Sequence, residues 1–186
     1  MSEYEDTLQA IKTTYGPLLR QKDLCEAAGI CQTKAMKLIR SGQIPSVFLA
    51  EGRIRRYAIL AEDAASFIVS RRFARSGLNE IEAHGLRIIL STEPDMLSTP
   101  QAQLITGINK NSVERWILAG KLPAIMWKTA YRIPKKDLID YMTTSAFWKA
   151  RTSSIQRLAI RRFLVWYIDR KENYQKGGSG HEERFR

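Results

Sequence analysis

The sequence predicts a mainly α-helical protein with small β-hairpins: two copies of one module, a helical linker between them, and a C-terminal helix. Three observations predict this. Part of the chain repeats at a fixed offset, each copy spaces its apolar residues as helices do between Gly and Pro stops, and each copy runs on into two short strand-like segments. With 186 residues, 44% apolar and 26% charged, the chain can form one ordinary domain or two small ones.

A shift of 78 residues lays Leu19–Pro45 over Leu97–Pro123 without a gap. The pairs Leu19/Leu97, Gly29/Gly107, Ile30/Ile108, Ile39/Ile117, Gly42/Gly120 and Pro45/Pro123 are identical, and Ala35/Val113, Lys37/Arg115, Leu38/Trp116 and Ile44/Leu122 keep their character. In each copy a short helix, near 21–28 and 100–106, ends at Gly29 or Gly107, where glycine can adopt the left-handed conformation that closes a helix. Pro100 suits the first turn of its helix, where no N–H is needed. After a three-residue turn comes a second helix, near 32–41 and 111–119, whose apolar stripe is Ala35, Leu38 and Ile39, or Val113, Trp116 and Ile117. Gly42 and Gly120 stop it, and Pro45 and Pro123 prevent its resumption. This is helix-turn-helix spacing.

Two strand-like runs follow each proline. Val47–Leu49 leads through Glu51-Gly52 to Ile54–Tyr57, and Ile125–Trp127 through Thr129-Ala130 to Tyr131–Ile133, each pair reading as a β-hairpin or wing. The first wing is about four residues longer by the same alignment. A third helix closes each copy: Glu62–Arg75 through Ala64, Phe67 and Ile68, and Lys136–Thr144 through Leu138, Ile139 and Met142. Between the copies, Asn79 with Glu82 forms a capping pair for a helix carrying Leu78, Ile81 and Leu86. From Thr144 to Asn173 the chain reads as one long helix with a stripe of Ile155, Leu158, Ala159, Phe163 and Trp166, widened by Leu164, Tyr167 and Ile168. The resulting division is 1–75 for the first unit, 76–95 for the helical linker, 96–144 for the second unit, 145–174 for the C-terminal helix and 175–186 for a Gly-rich disordered tail.

Thirty Lys and Arg against 19 Asp and Glu leave a net charge of +11, which favours a polyanionic partner. The positive charge is gathered at Arg53, Arg55 and Arg56, at Arg71, Arg72 and Arg75, and along 146–171, a pattern suited to a long footprint. Apolar runs are too short for a membrane span, the acidic start has no apolar core of a secretory signal, and the expected location is cytoplasmic. Cys25 and Cys31 with two histidines match no metal pattern, so no cofactor and no metal are expected. A nuclease-like enzyme would need clustered carboxylates or an activated nucleophile. Asp137, Asp140, Glu80 and Glu82 read as helix-surface charges and His84 has no evident partner, so no catalysis is expected.

The run Leu97–Met142 closely resembles the winged helix-turn-helix of the excisionase and MerR-like DNA-binding families. The resemblance is carried by Leu97, Gly107-Ile108, the polar start of the second helix, Ala119-Gly120-Lys121-Leu122-Pro123, Tyr131-Arg132-Ile133-Pro134 and Asp137-Leu138. Leu18–Ser46 resembles it more weakly through Gly29-Ile30 and Leu38–Gly42, departing at Cys31, where a Ser, Thr or Asn cap is usual, and at Arg56-Tyr57-Ala58 after the wing.

The resemblance implies a second helix in the major groove of double-stranded DNA. The outward residues would be Gln32, Thr33, Lys34, Met36 and Lys37 in copy one, and Lys110, Asn111, Ser112, Glu114 and Arg115 in copy two. Wing cations Arg53, Arg55, Arg56, Lys128 and Arg132 would meet phosphate or the minor groove, and the N-terminus of each first helix could offer N–H groups to phosphate. The implied role is an excisionase-like architectural factor or a transcriptional regulator of a mobile element, phage or plasmid, with a recombinase or RNA polymerase as protein partner. The apolar stripe of the C-terminal helix would pack over the repeats or, as in MerR-like regulators, form a seam for self-association. The alternatives are a plasmid replication or partition factor and a winged protein-interaction module that does not bind DNA.

Overall fold

The computed structural model describes residues 2–51, 54–149 and 154–177. They form two compact units, one built from the chain up to Ser70 together with the chain from Arg162 on, the other from Arg71–Arg161. Both units are helical with one three-stranded antiparallel sheet each.

The first unit runs α1 (Glu3–Tyr15), β1 (Leu18–Arg20), α2 (Gln21–Ala28), α3 (Gln32–Arg40), β2 (Val47–Glu51), β3 (Ile54–Leu60) and α4 (Ala61–Ser70). The sequence reading contains no counterpart of α1. Ser2 and Glu5 cap it reciprocally, Ile11 is buried and Tyr4, Leu8 and Tyr15 pack on the same core. That core joins Leu19, Leu24, Ile30, Ala35, Ile39, Ile44, Ile59, Ala64 and Phe67. Lys12 Nζ meets Glu62 Oε1 at 2.6 Å.

The second unit runs α5 (Phe73–Ser76), α6 (Glu80–Ile89), β4 (Met96–Ser98), α7 (Thr99–Thr106), α8 (Lys110–Leu118), β5 (Ile125–Trp127), β6 (Ala130–Pro134), α9 (Lys135–Thr143) and α10 (Ser145–Lys149). Leu97, Ala102, Ile108, Val113, Leu122, Ile133, Leu138 and Met142 are buried. The expected linker helix is α6, opened by Asn79 and Glu82, each accepting from the other's backbone N–H. Glu82 is fully buried and paired with Arg72.

The same order of elements recurs in the two units, in a mainly α fold with two winged helix-turn-helix units. Sheet orders are β1-β3-β2 and β4-β6-β5, so each wing hairpin gains a third strand that the sequence reading lacked. Leu19 pairs with Ile59 and Leu97 with Ile133, separations of 40 and 36 residues, which is the four-residue difference in wing length. Gly29 and Gly107 close α2 and α7 in the left-handed region at φ 59° and 65°.

Four expectations need correction. The third helix of the first copy is not continuous over Glu62–Arg75: α4 stops at Ser70, and Arg71-Arg72 turn the chain into the separate α5. The C-terminal segment is two helices, α10 and α11 (Ile155–Gly177), with residues 150–153 outside the described residues. Helix α11 carries the chain three residues past the expected start of the tail at Gln175, and residues 178–186 lie outside the described residues. The buried face of α11 agrees with the expected one at Leu164, Tyr167 and Ile168 and departs from it elsewhere. It holds Arg157, Ile160, Leu164, Val165, Tyr167 and Ile168, whereas Ile155 is 84% and Trp166 48% exposed.

The reason is Arg157. It is buried, donates through Nη2 to the Phe147 carbonyl at 2.6 Å, and stacks on the Phe147 and Trp148 rings at 4.9 and 5.4 Å. Burial, followed by its neighbour Arg161, pushes its pKa down to about 10, which still leaves it charged at neutral pH. A cation therefore occupies the first inward turn, and the helix is rotated from the stripe that apolarity alone selects.

Candidate nucleic-acid interface

Helix α8 is set by local chemistry on both sides. At its start, Asn109 Oδ1 accepts from Asn111 N at 2.9 Å, and Gln103 Oε1 of α7 accepts from Lys110 N at 3.1 Å. Val113 is buried and Trp116 lies against Tyr141 and Phe147, with ring centroids 4.8 and 6.2 Å apart. The inward stripe being committed, the opposite face is polar and open. Lys110, Asn111 and Arg115 are exposed, with Ser112 and Glu114 half-buried beside them. Glu114 pairs with Lys110 at 3.5 Å, so its carboxylate is neutralised by its own helix. Arg115 Nη2 donates to Ser112 Oγ at 2.8 Å, which extends the guanidinium along the helix surface.

Helix α3 is the counterpart. Ala35 and Ile39 are buried, while Gln32, Thr33, Lys34 and Lys37 are exposed and Met36 is half-buried. Its cap residue Cys31 makes no side-chain hydrogen bond where Asn109 does, which is the weakness expected at that position. No acidic residue lies within 32–40, so Lys34, Lys37 and Arg40 leave α3 more positive than α8. Arg40 is exposed and was missed by the sequence reading, although it follows Lys37 by one helical turn.

The wings place their cations unevenly. Arg56 is exposed on β3 opposite Leu49. Arg55 belongs to β3, but its side chain, like the whole of Arg53, lies outside the described residues. In the second wing, Arg132 is half-buried on the central strand between Ser98 and Ile125, and Lys128 is exposed at the tip at φ 56°. The N-termini of α2 and α7 differ: Arg20 N donates to Asp23 Oδ2 at 2.8 Å, whereas Ser98 N donates to the neutral Gln101 Oε1 at 2.8 Å. Burial raises the Asp23 carboxyl, but the backbone and guanidinium of Arg20 outweigh it and hold it below its ordinary range. A carboxylate thus sits where a phosphate would approach α2.

The basic run along 146–171 does not form an open strip. Arg157 is buried, Arg162 pairs with Asp63, and Arg151 lies outside the described residues. Most of the apolar face of α11 is buried, so a seam for a second copy would have to use Ile155 and Trp166. Among the described residues, no group of three or more His, Cys, Asp or Glu could hold a metal ion, and no helix is long and apolar enough to cross a membrane.

No curated protein and no solved structure matches this chain. Residues 96–146, which hold β4, both helices of the second motif, the wing and α9, match the family model of the helix-turn-helix domain, and this part of the chain is a helix-turn-helix DNA-binding domain.

Proposed function

We propose that the chain binds double-stranded DNA through two unlike heads and reads sequence with α3 and α8. The observation that carries this reading is the equivalence of two open polar faces: Gln32, Thr33, Lys34 and Lys37 stand at the positions of Lys110, Asn111, Ser112 and Arg115. Gln32 and Asn111 have the geometry to pair bidentately with adenine, and Arg115 with guanine, each contact worth about 1–3 kcal/mol of discrimination. Lys34, Lys37 and Lys110 serve phosphate or base edges nearby. Arg53, Arg55, Arg56, Lys128 and Arg132 extend the contact through the wings to the backbone and the minor groove. The chemical difference between the faces means that the heads prefer different sequences.

The biological role that fits is an excisionase-like architectural factor or a regulator of transcription in a mobile element, phage or plasmid, working at the nucleoid beside a recombinase or RNA polymerase. Chemistry on the DNA is not part of this role. Selection of bound duplexes from a random pool by the full chain tests the reading. Two unlike sequence elements in every selected duplex are expected. A palindrome, a single element, or no enrichment above the starting pool overturns it.

A further inference from the structure

Trp127 is the least explained aromatic residue of the protein. Of the four tryptophans, Trp116, Trp148 and Trp166 each lie against another ring. Among the described residues Trp127 meets none, and it is 62% exposed. Its position is defined by register. β6 sends Ile133 into the core and therefore Arg132 and Ala130 to the open face, where their strand partners are Ile125 and Trp127. Across from Trp127 is Ala130, the smallest side chain available, so nothing on the neighbouring strand covers the indole.

The tip that carries it is narrow. β4 ends at Ser98 opposite Arg132, so the pairs Met126–Tyr131 and Trp127–Ala130 project beyond the third strand as a two-stranded finger. The axes of two paired strands are about 4.8 Å apart, so with its side chains the finger is wider than an undistorted minor groove of about 6 Å and only its tip can enter. Immediately after Trp127 the chain turns through Lys128, which holds φ 56°, a conformation that Gly or Asn would take with less strain. Strain of this kind persists where the surroundings or a function demand a particular side chain, and here the strained residue is a lysine directly after an exposed tryptophan. Arg132 supplies a second cation on the same face. The first wing lacks the combination: β2 ends on Glu51 where β5 ends on Trp127, and the sequence between β2 and β3 is Gly52-Arg53.

We infer that the second wing is a minor-groove wedge, with Trp127 entering between two stacked base pairs while Lys128 and Arg132 hold the flanking phosphates. The inference rests on the DNA-binding reading above and deepens it. An apolar side chain driven between base steps unstacks them and kinks the duplex by about 20–90°. The indole's flat face suits it to replace the lost base stacking. Pyrimidine–purine steps are the easiest to open, so the wedge also makes the head prefer a TA or CA step at a position where no hydrogen bond reads a base.

The test uses the full chain and a selected duplex, with 2-aminopurine placed in turn at each position of the second element and a fluorophore pair on the duplex ends. The expected result is a change in 2-aminopurine emission confined to one step, where the indole replaces a base as stacking partner, and a shortened end-to-end distance. Trp127→Ala should abolish both and lower affinity by about tenfold, within the range of a base–aromatic contact. Trp127→Phe should keep part of each. Helical circular dichroism confirms that the variants fold. If Trp127→Ala retains the emission change and the bend, or if the native chain binds without unstacking any step, the wedge is overturned while the DNA reading stands. If the native chain enriches no duplex at all, the DNA reading falls and takes the wedge with it.

Discussion

The glycines that close α2 and α7 share a backbone conformation, yet replacing them with alanine should have unequal consequences. At Gly29 an added Cβ has open space, with nothing within 4 Å, so Gly29→Ala costs only the left-handed strain of about 1–2 kcal/mol. At Gly107 the same Cβ would overlap the Cβ and Oγ of Ser154, with Gln156 Oε1 at 3.1 Å. Ser154 cannot swing away cheaply: its Oγ accepts from Arg157 N at 3.2 Å and its carbonyl accepts from Leu158 N at 3.1 Å, at the start of α11. Overpacking of this kind adds about 1–3 kcal/mol. Gly107→Ala should therefore cost about 2–5 kcal/mol, and a double-mutant cycle with Ser154→Gly should recover the overpacking part as a coupling energy of about 1–3 kcal/mol. The assay is urea unfolding followed by tryptophan emission, since Trp116, Trp127 and Trp148 all belong to the unit Arg71–Arg161. Amide exchange resolved by peptide supplies the value for Gly29→Ala. A coupling energy near zero, or equal costs at the two glycines, would refute the reasoning, because Ser154 makes the two shortest contacts of the added Cβ.

Arg115→Ala and Lys37→Ala should each relax base preference within one element of the selected site, whereas Arg56→Ala should weaken all duplexes alike and flatten the dependence of log affinity on log salt by about 0.9 per lost phosphate contact. An unchanged ranking of selected sequences for Arg115→Ala removes α8 as the reading helix. Lys128→Gly should relieve the backbone at the wing tip and stabilise the second unit by about 0.5–1 kcal/mol while lowering DNA affinity; a loss of stability would mean that Lys128 holds the hairpin together. Asp23, held below the ordinary carboxylate range in the folded chain, stabilises the cap of α2 at neutral pH, and that contribution disappears as pH falls below 3.8. Asp23→Asn should accordingly flatten the acid limb of stability in the first unit, and identical acid limbs for variant and native chain would contradict the sign. Arg157→Ala leaves the Phe147 carbonyl without its donor and a gap between two rings, with an expected loss of about 2–4 kcal/mol in urea unfolding.

The parts of this fold that depend on backbone punctuation were legible in the sequence. Gly29, Gly107, Gly42 and Gly120 all take positive φ, and the Asn79–Glu82 pair caps α6 as its spacing predicts. The outward set of both second helices was also legible, since a strict apolar stripe leaves only one face for polar residues. Strands β1 and β4, three residues each, were not, because period-two alternation has no length to develop in them. Helix α1 carries its own signals, Ser2 with Glu5 at capping spacing and Tyr4, Leu8, Ile11 and Tyr15 at helical spacing, but it lies outside the repeated stretch that defines the other elements. In α11 the expected stripe holds at Leu164, Tyr167 and Ile168 but not in the first turn, where Arg157 offers a long apolar stem and a planar cation to two rings, which a hydrophobicity pattern scores as outward. The same error spread to the basic run 146–171, which looked like an open strip and instead supplies Arg157 to the interior and Arg162 to Asp63.

Under the proposed function, two unlike polar helices, α3 and α8, each face DNA. Amide chemical-shift mapping of the full chain, titrated with a selected duplex, tests this directly. Concerted shifts at Gln32–Lys37 and at Lys110–Arg115, with Val113 and Ala35 signals reporting only small secondary changes, are the predicted result. Shifts confined to one of these helices, or centred on the exposed residues of α11, would contradict it.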